Sequence, residues 1–419
     1  MLLARKTTVR ISDSYSLIIS RMGLASYKLW NTLNYERRHY KELNLPVEYP
    51  NWYYQKKVHK DNPWARQMPS HSFQELCKLM DKSWKAFYES KKAEGGEKQQ
   101  SPGYKYEPMA VSYLPSGISH VPGSDVIRLS LSKQLKEYMA QNHDIHEDFL
   151  YLQNSIFTEI GDIRQIKVLP PGENTCEVVI NYRIPDPDPL PANNRFLSID
   201  LGLHNLMTCY NSVNGETFIA GRKYLSICHY YDKEIARVQS EWSKQQRDKG
   251  VKCPKSSKHI RSLHKKKKNS ANDYLHKLTN TIAEYCREND IRTVVIGDIK
   301  SIRKGKDFGS AVNQEFHALP FDRIYRQLEY KLKLKGIRFE KIDEAFSSST
   351  SPLEEIVSRE SADKSKRIKR GLYVDGEHSW NADCVGAFNI LRLYLQKKNI
   401  NLKLDPEAIR NPYILKVAV

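Results

Sequence analysis

Three carboxylates in this sequence stand where hydrolysis of a phosphodiester would want them. Asp200 closes the apolar run Phe196-Leu197-Ser198-Ile199, Glu344 lies just past the strand-like stretch Ile337–Ile342, and Asp383 opens a helical stretch, Ala382–Gln396. Metal-assisted cleavage of a phosphate ester needs acidic oxygen ligands and open water positions, so that the attacking water is activated and the leaving oxygen neutralised. Magnesium prefers oxygen ligands and keeps several waters, so three or four carboxylates are enough. Carboxylates far apart in sequence but set at the ends of strands and helices are how an α/β sheet assembles such a centre. Aspartates at strand ends and helix starts also serve as simple caps, and spacing alone does not separate the two roles.

A second chemistry is carried by cations. Lys255, Lys258, Arg261 and the run Lys265, Lys266, Lys267, Lys268 form the densest positive stretch. Such runs neutralise phosphates and release counterions, which gives affinity and salt sensitivity; a solvated helix face is the plainer alternative. The whole chain of 419 residues carries a formal net charge of +18. An excess of that size favours a polyanionic partner. No apolar run approaches the roughly 20 residues of a membrane span, and the basic N-terminus lacks the apolar stretch of a signal peptide. No membrane partner and a cytoplasmic location are therefore expected. The seven cysteines show no C-x-x-C spacing, which fits reduced thiols and offers no local zinc site.

The elements that must position these groups can be read in outline. From about residue 15 to 100 the chain is helical and rich in aromatic residues, among them Trp30, Tyr35, Tyr53, Trp84 and Tyr88, which suit either a helical core or base stacking. A hairpin is expected over Gln165–Leu169 and Thr175–Ile184, around Pro170-Pro171-Gly172. The prolines 185, 187, 189 and 191 make a stiff linker, which places the main boundary there. Beyond it, strands at Phe196–Asp200, Thr217–Ala220, Thr293–Ile296 and Ile337–Ile342 alternate with helices. One long helical region covers about 230–289, with a break near Pro254, and another helix carries Ile324, Leu328 and Leu332. That alternation predicts an α/β domain.

The residues around the carboxylates resemble the TnpB family, the transposon-encoded relatives of type V CRISPR nucleases. Ser198-Ile199-Asp200-Leu201-Gly202-Leu203 is similar to its first RuvC motif. Tyr274-Leu275-His276-Lys277-Leu278 is similar to its helical segment, and Val294-Val295-Ile296-Gly297-Asp298 to its second RuvC strand. Asn313-Gln314-Glu315-Phe316-His317, Leu319-Pro320-Phe321 and Leu328-Glu329-Tyr330-Lys331 fit a branch of the family, and Asn381-Ala382-Asp383 with Gly386-Ala387 and Asn389-Ile390 resembles the third motif. Two departures stand out. Many members carry the catalytic Glu where this chain has Gly297; here Asp343-Glu344-Ala345-Phe346-Ser347-Ser348 fits the later place used by one branch, which implies Glu344, with Asp298 as the alternative ligand. Where the family pattern puts zinc-ribbon cysteines this chain has Ser351 and Glu354, and a second pair between Leu372 and Trp380 is absent. Since thiolates hold zinc in such ribbons, no structural zinc is expected.

The resemblance implies a two-part fold. An N-terminal portion, 1–190, would be a β-barrel wedge with a helical recognition lobe inserted at about 15–110. A C-terminal portion, 193–419, would be an RNase H-like (RuvC) nuclease domain in which 345–379 is a degenerate, still basic insert through Lys364, Lys366, Arg367, Lys369 and Arg370. It implies Asp200, Glu344 and Asp383 as catalytic and metal-binding residues, Mg²⁺ (or Mn²⁺) as cofactor, and guide RNA and target DNA as partners of a monomer or homodimer. The expected activity is RNA-guided cleavage of DNA beside a short flanking motif. A nuclease-dead RNA-guided repressor and a miniature type V CRISPR effector are the alternatives; retention of both aspartates favours the enzyme.

Overall fold

The computed structural model describes residues 1–92, 98–299, 319–369 and 371–417. The motif at Asn313–His317 and the cation Arg370 lie outside the described residues. The chain divides into two compact units, Met1–Asp186 and Pro187–Val419.

The first unit opens with a strand that sequence reading did not anticipate, β1 (Leu2–Arg10), followed by α1 (Asp13–Arg38), α2 (Trp52–Val58), α3 (Pro63–Arg66) and α4 (Ser70–Lys92). It continues through β2 (Val111–Tyr113), β3 (Ile118–His120), β4 (Val126–Ser130), α5 (Lys133–His143), β5 (Phe149–Gln153), β6 (Asp162–Val168) and β7 (Thr175–Arg183). The order β1-β7-β6-β2 makes one sheet and β3-β4-β5 another. The expected hairpin is present as β6–β7, and β1 adds to its far side in antiparallel register from Leu2↔Arg183 to Arg10↔Thr175. Alternation of inward Cys176, Val178 and Ile180 with outward residues gives β7 one buried face.

Helix α1 serves two cores. Ser12 caps it by accepting from the Tyr15 backbone N–H. Ile18, Ile19 and Met22 in its first half join the core shared by both sheets, while Ala25, Leu29, Trp30 and Leu33 pack with Phe73, Leu76, Met80 and Trp84 of α4. Trp30 and Trp84 are thus core residues, whereas Tyr35, Tyr53 and Tyr88 stay exposed. The buried Arg37 guanidinium is held by Gln55 at 2.8 Å and Asp81 at 3.0 Å, the pairing that a buried charge requires.

The second unit is built on six strands: β8 (Phe196–Asp200), β9 (Met207–Asn211), β10 (Thr217–Ala220), β11 (Thr293–Gly297), β12 (Arg338–Ile342) and, last in the chain, β15 (Tyr413–Ile414). Their order is β12-β11-β8-β9-β10-β15. β8, β9 and β10 form an antiparallel meander, and β11 and β12 extend it in parallel on the β8 side. Between them run α6 (Lys223–Asp248), α7 (Lys258–Glu288) and α8 (Phe321–Leu334); a short hairpin, β13 (Tyr373–Asp375) and β14 (His378–Trp380), precedes α9 (Ala382–Lys398). The helical region around Pro254 is two helices, with α7 restarted by Ser257, whose hydroxyl accepts from the Ile260 N–H.

β8 and β11 are buried along nearly their whole length, as parallel strands covered on both faces must be. Leu275, Leu278 and Ile282 of α7 cover one face with Ile324, Leu328 and Leu332 of α8. The other face takes Val385, Phe388 and Leu391 of α9. Leu278 is fully buried, so truncating it to Ala is expected to cost about 2–5 kcal/mol. Among the described residues, no helix is long and apolar enough to cross a membrane.

Candidate active site

Asp200 ends β8, and Glu344 lies two residues past the end of β12, two strands away across β11. Asp383 sits in the first turn of α9, where the Asn381 side chain caps the helix by accepting from the backbone N–H groups of Asp383 (3.0 Å) and Cys384 (3.3 Å). All three line one cavity of about 540 Å³, at the carboxyl ends of strands, where open α/β sheets bind their ligands.

The alignment depends on α9. The buried Ser198 hydroxyl donates to the Ala387 carbonyl at 2.7 Å and ties β8 to the helix. The fully buried Asn389 donates to the carbonyls of Ser347 and Thr350, both at 2.8 Å, and ties the Glu344 turn to the same helix. On the other side of β11, the Tyr325 hydroxyl donates to Gly297 O at 2.6 Å and accepts from Ile299 N–H at 3.2 Å, which fixes the strand end beside Glu344.

Two glycines leave room for the acids. A Cβ at Gly386 would stand 2.4 Å from Asp200 Oδ2, and a Cβ at Gly297 would stand 1.9 Å from Glu344 Oε2. Both distances are far inside van der Waals contact. The Glu344 carboxylate therefore fills the space that a side chain at 297 would take. β11 and β12 are neighbours in register, Gly297↔Ile342, so a carboxylate carried two residues past β12 arrives where one carried at the end of β11 would be. Asp298 does not line the cavity.

Electrostatics follow from this crowding. Burial, and then the charges of Glu344 and Asp383, push the Asp200 carboxyl well above the ordinary aspartate range; Arg367 and the Leu201 backbone N–H pull the other way. Two groups that sequence reading did not assign to the site engage Asp383. Asn205 donates to its Oδ2 at 2.7 Å and Arg367 to its Oδ1 at 3.2 Å. The Asn205 oxygen accepts from Arg222 Nε at 2.9 Å, which fixes the amide with its NH₂ toward Asp383. Asn205 lies five residues past Asp200, just beyond the first motif, and that proximity was its only signal; Arg367 was legible only as one cation among five. Among the described residues, no three His, Cys, Asp or Glu side chains are already gathered closely enough to hold a metal. The donors are all oxygen and mutually repelling, which fits a hard divalent cation. Asp383 currently faces Arg367 and Asn205 instead.

The basic stretch lies elsewhere, on α7. Consecutive residues of a helix point about 100° apart, so Lys265–Lys268 does not form one patch. Lys258, Arg261, Lys265 and Lys268 share an exposed face, with Lys266 beside them and Lys255 exposed ahead of the helix. Lys267 falls on the inner side with Ile260, Leu263 and Ala271, and binds both Asp232 oxygens at 2.6 Å. A phosphate contact made by Lys267 would have to displace Asp232. In the insert, Ser351 donates to Asp375 at 2.5 Å, and Asp375 pairs with Lys366 at 3.0 Å.

The fold and its cavity define a class of protein: an α/β domain that brings scattered carboxylates to the ends of its central strands, with a basic insert before the last helix. Residues 179–303 match the family model OrfB_IS605, described as a probable transposase, and residues 321–390 match the Cas12f1-like TNB domain. Over these stretches the chain is thus similar to TnpB-type transposases and to Cas12f1-like proteins. No curated protein matches the sequence. A solved Cas12f1–sgRNA–target DNA complex contains a chain of the same fold, with TM-score 0.58 and 16% identity over 90% of this chain and 83% of that one. A second, a CRISPR–Cas12f ternary complex, aligns at TM-score 0.39 and 14% identity over 94% of this chain and 83% of that one.

Proposed function

We propose that this chain is an RNA-guided, Mg²⁺-dependent DNA endonuclease of TnpB type, with Asp200, Glu344 and Asp383 as its metal ligands. The observation that carries the proposal is their convergence on one cavity from three elements spread over more than 180 residues of chain. Magnesium bound there would supply an activated water and neutralise charge on the leaving oxygen. The residues themselves do the rest. Asn205, oriented by Arg222, holds the Asp383 carboxylate in place. Arg367 and Lys364 line the same cavity and offer cations to the phosphate. A divalent cation would take over from Arg367 as the partner of Asp383.

Guide RNA and target DNA follow as partners from the family and from the chain's net charge of +18. Base pairing with the guide would carry sequence recognition, while the protein reads backbone shape and a short flanking motif. The exposed face of α7 supplies phosphate contacts. Residues 1–190 act as the wedge, with the helices between β1 and β2 as the recognition lobe. Residues 345–379 act as a strand-handling insert held by hydrogen bonds such as Ser351–Asp375 in place of zinc.

The test is cleavage and gel shift of one labelled duplex with its guide. Wild type should cut in Mg²⁺, and Asp200→Ala or Asp383→Ala should bind but not cut. If wild type binds under guidance yet never cuts in Mg²⁺ or Mn²⁺, the protein is a guided repressor. If Asp200→Ala cuts as well as wild type, the carboxylate centre is wrongly assigned.

A further inference from the structure

Phe346 stands in a conformation that its residue type disfavours. Its φ is +69°, in the left-handed region where a bulky side chain is strained and which clusters at functional sites. The strain is held in place by the surrounding turn. The Phe346 carbonyl accepts from the backbone N–H groups of Ser349 and Thr350, both at 3.1 Å, and from their hydroxyls at 3.3 and 3.1 Å. Asn389 of α9 grips the same turn through Ser347 and Thr350. These hydrogen bonds hold the backbone, which sets the direction in which the Phe346 Cα–Cβ bond leaves it.

That direction is outward. Phe346 is 41% exposed, although Ser347 beside it and Glu344 two residues before it are buried, and among the described residues no aromatic ring or cation packs on it. It lines the same cavity as Asp200, Glu344 and Asp383, and so do Lys364 and Arg367. The cavity lining thus carries acids, cations that reach them, as Arg367 reaches Asp383, and an aromatic ring two residues from Glu344. An acidic centre, a phosphate-binding cation pair and a free π-face together match a single nucleotide unit.

We propose that Phe346 is a stacking platform for an unpaired base of the strand to be cut, a positioning residue that seats the adjoining phosphate between Lys364, Arg367 and the carboxylates. The inference rests on the nuclease reading and adds to it one positioning contact; the base it takes must be unpaired, because the bases of a duplex are already stacked on each other. Every base has a π-face, so the platform is indifferent to sequence.

The test uses the full-length protein with Ca²⁺ in place of Mg²⁺ and single-stranded DNA carrying 2-aminopurine at successive positions. At one position, binding should quench the fluorophore. Phe346→Ala and Phe346→Leu should lose the quench and bind roughly 5- to 100-fold more weakly, the usual loss for one base–aromatic stack. Phe346→Tyr and Phe346→Trp should keep both. Phe346→Gly relieves the backbone and should melt no lower than wild type while losing the quench. Quenching that survives in Phe346→Gly, or weakening by Leu that does not exceed that by Tyr, overturns the platform, as does a wild type that quenches at no position. Because the readout is binding, a protein that stacks the base but never cuts would uphold the platform and refute the nuclease.

Discussion

The carboxylate cavity and the outer face of α7 are both charged, and they are specified in opposite ways. At the cavity each acid has its own space: Asp200 against Gly386, Glu344 against Gly297, Asp383 between Asn205 and Arg367. On α7 the cations Lys258, Arg261, Lys265 and Lys268 need only share an exposed stripe. A site that must place oxygens about a metal tolerates errors of tenths of an ångström, since ligand distances are near ~2 Å. A stripe that meets a phosphate backbone tolerates far more. The cavity should therefore fail abruptly when one atom is moved, and the stripe should fail gradually, charge by charge.

The largest effect is expected at the acids. Asp200→Ala, Glu344→Ala or Asp383→Ala should each lower cutting by roughly a thousandfold or more, because the bound metal supplies several kcal/mol and each 1.36 kcal/mol is tenfold. Guided binding measured on the same samples should be unchanged. Next come the glycines. Gly297→Ala or Gly386→Ala displaces a carboxylate without removing it, and a shift of about 1 Å can cost on the order of a hundredfold. Cutting that stays near wild type in Gly297→Ala would mean that Glu344 is not held where the geometry has it. Asn205→Ala touches only the partner of an acid, so about 10- to 100-fold in metal affinity is expected, read by Mg²⁺ titration of the rate. Smallest is the stripe. Replacing Lys258, Arg261, Lys265 or Lys268 by Gln should each reduce the slope of log affinity against log salt by about 0.7–0.9. Lys267→Gln should leave that slope unchanged, because Asp232 already pairs with it; equal slopes for Lys267 and Lys268 variants would erase the distinction between the two sides of α7.

The sheet of the second unit was largely legible, because β8 and β11 are short apolar runs with an acid or Gly-Asp at their ends, and α7 keeps helical spacing through Leu275, Leu278 and Ile282. β1 was not, since alternation in Leu2–Arg10 is masked by threonines and cations and its partner β7 lies some 170 residues away. β9 escaped because all five of its residues are buried, so it has no alternation to read. The acids could be named as candidates, and Gly297, Gly386 and Arg367 appeared in their motifs, but not what they do: the glycines matter for what they lack, and Arg367 reaches Asp383 only after the insert folds. A dense string of lysines says nothing about which of them turns inward, and on α7 it is Lys267 that does.

The central claim is that Asp200, Glu344 and Asp383 act as one metal centre. The most direct measurement is titration of the purified protein with Mn²⁺, followed by electron paramagnetic resonance, for wild type and for each single alanine variant. The expected result is one or two ions bound by wild type, with affinity reduced in all three variants. A wild type that binds no ion, or an affinity left intact by any one of the three substitutions, would contradict it.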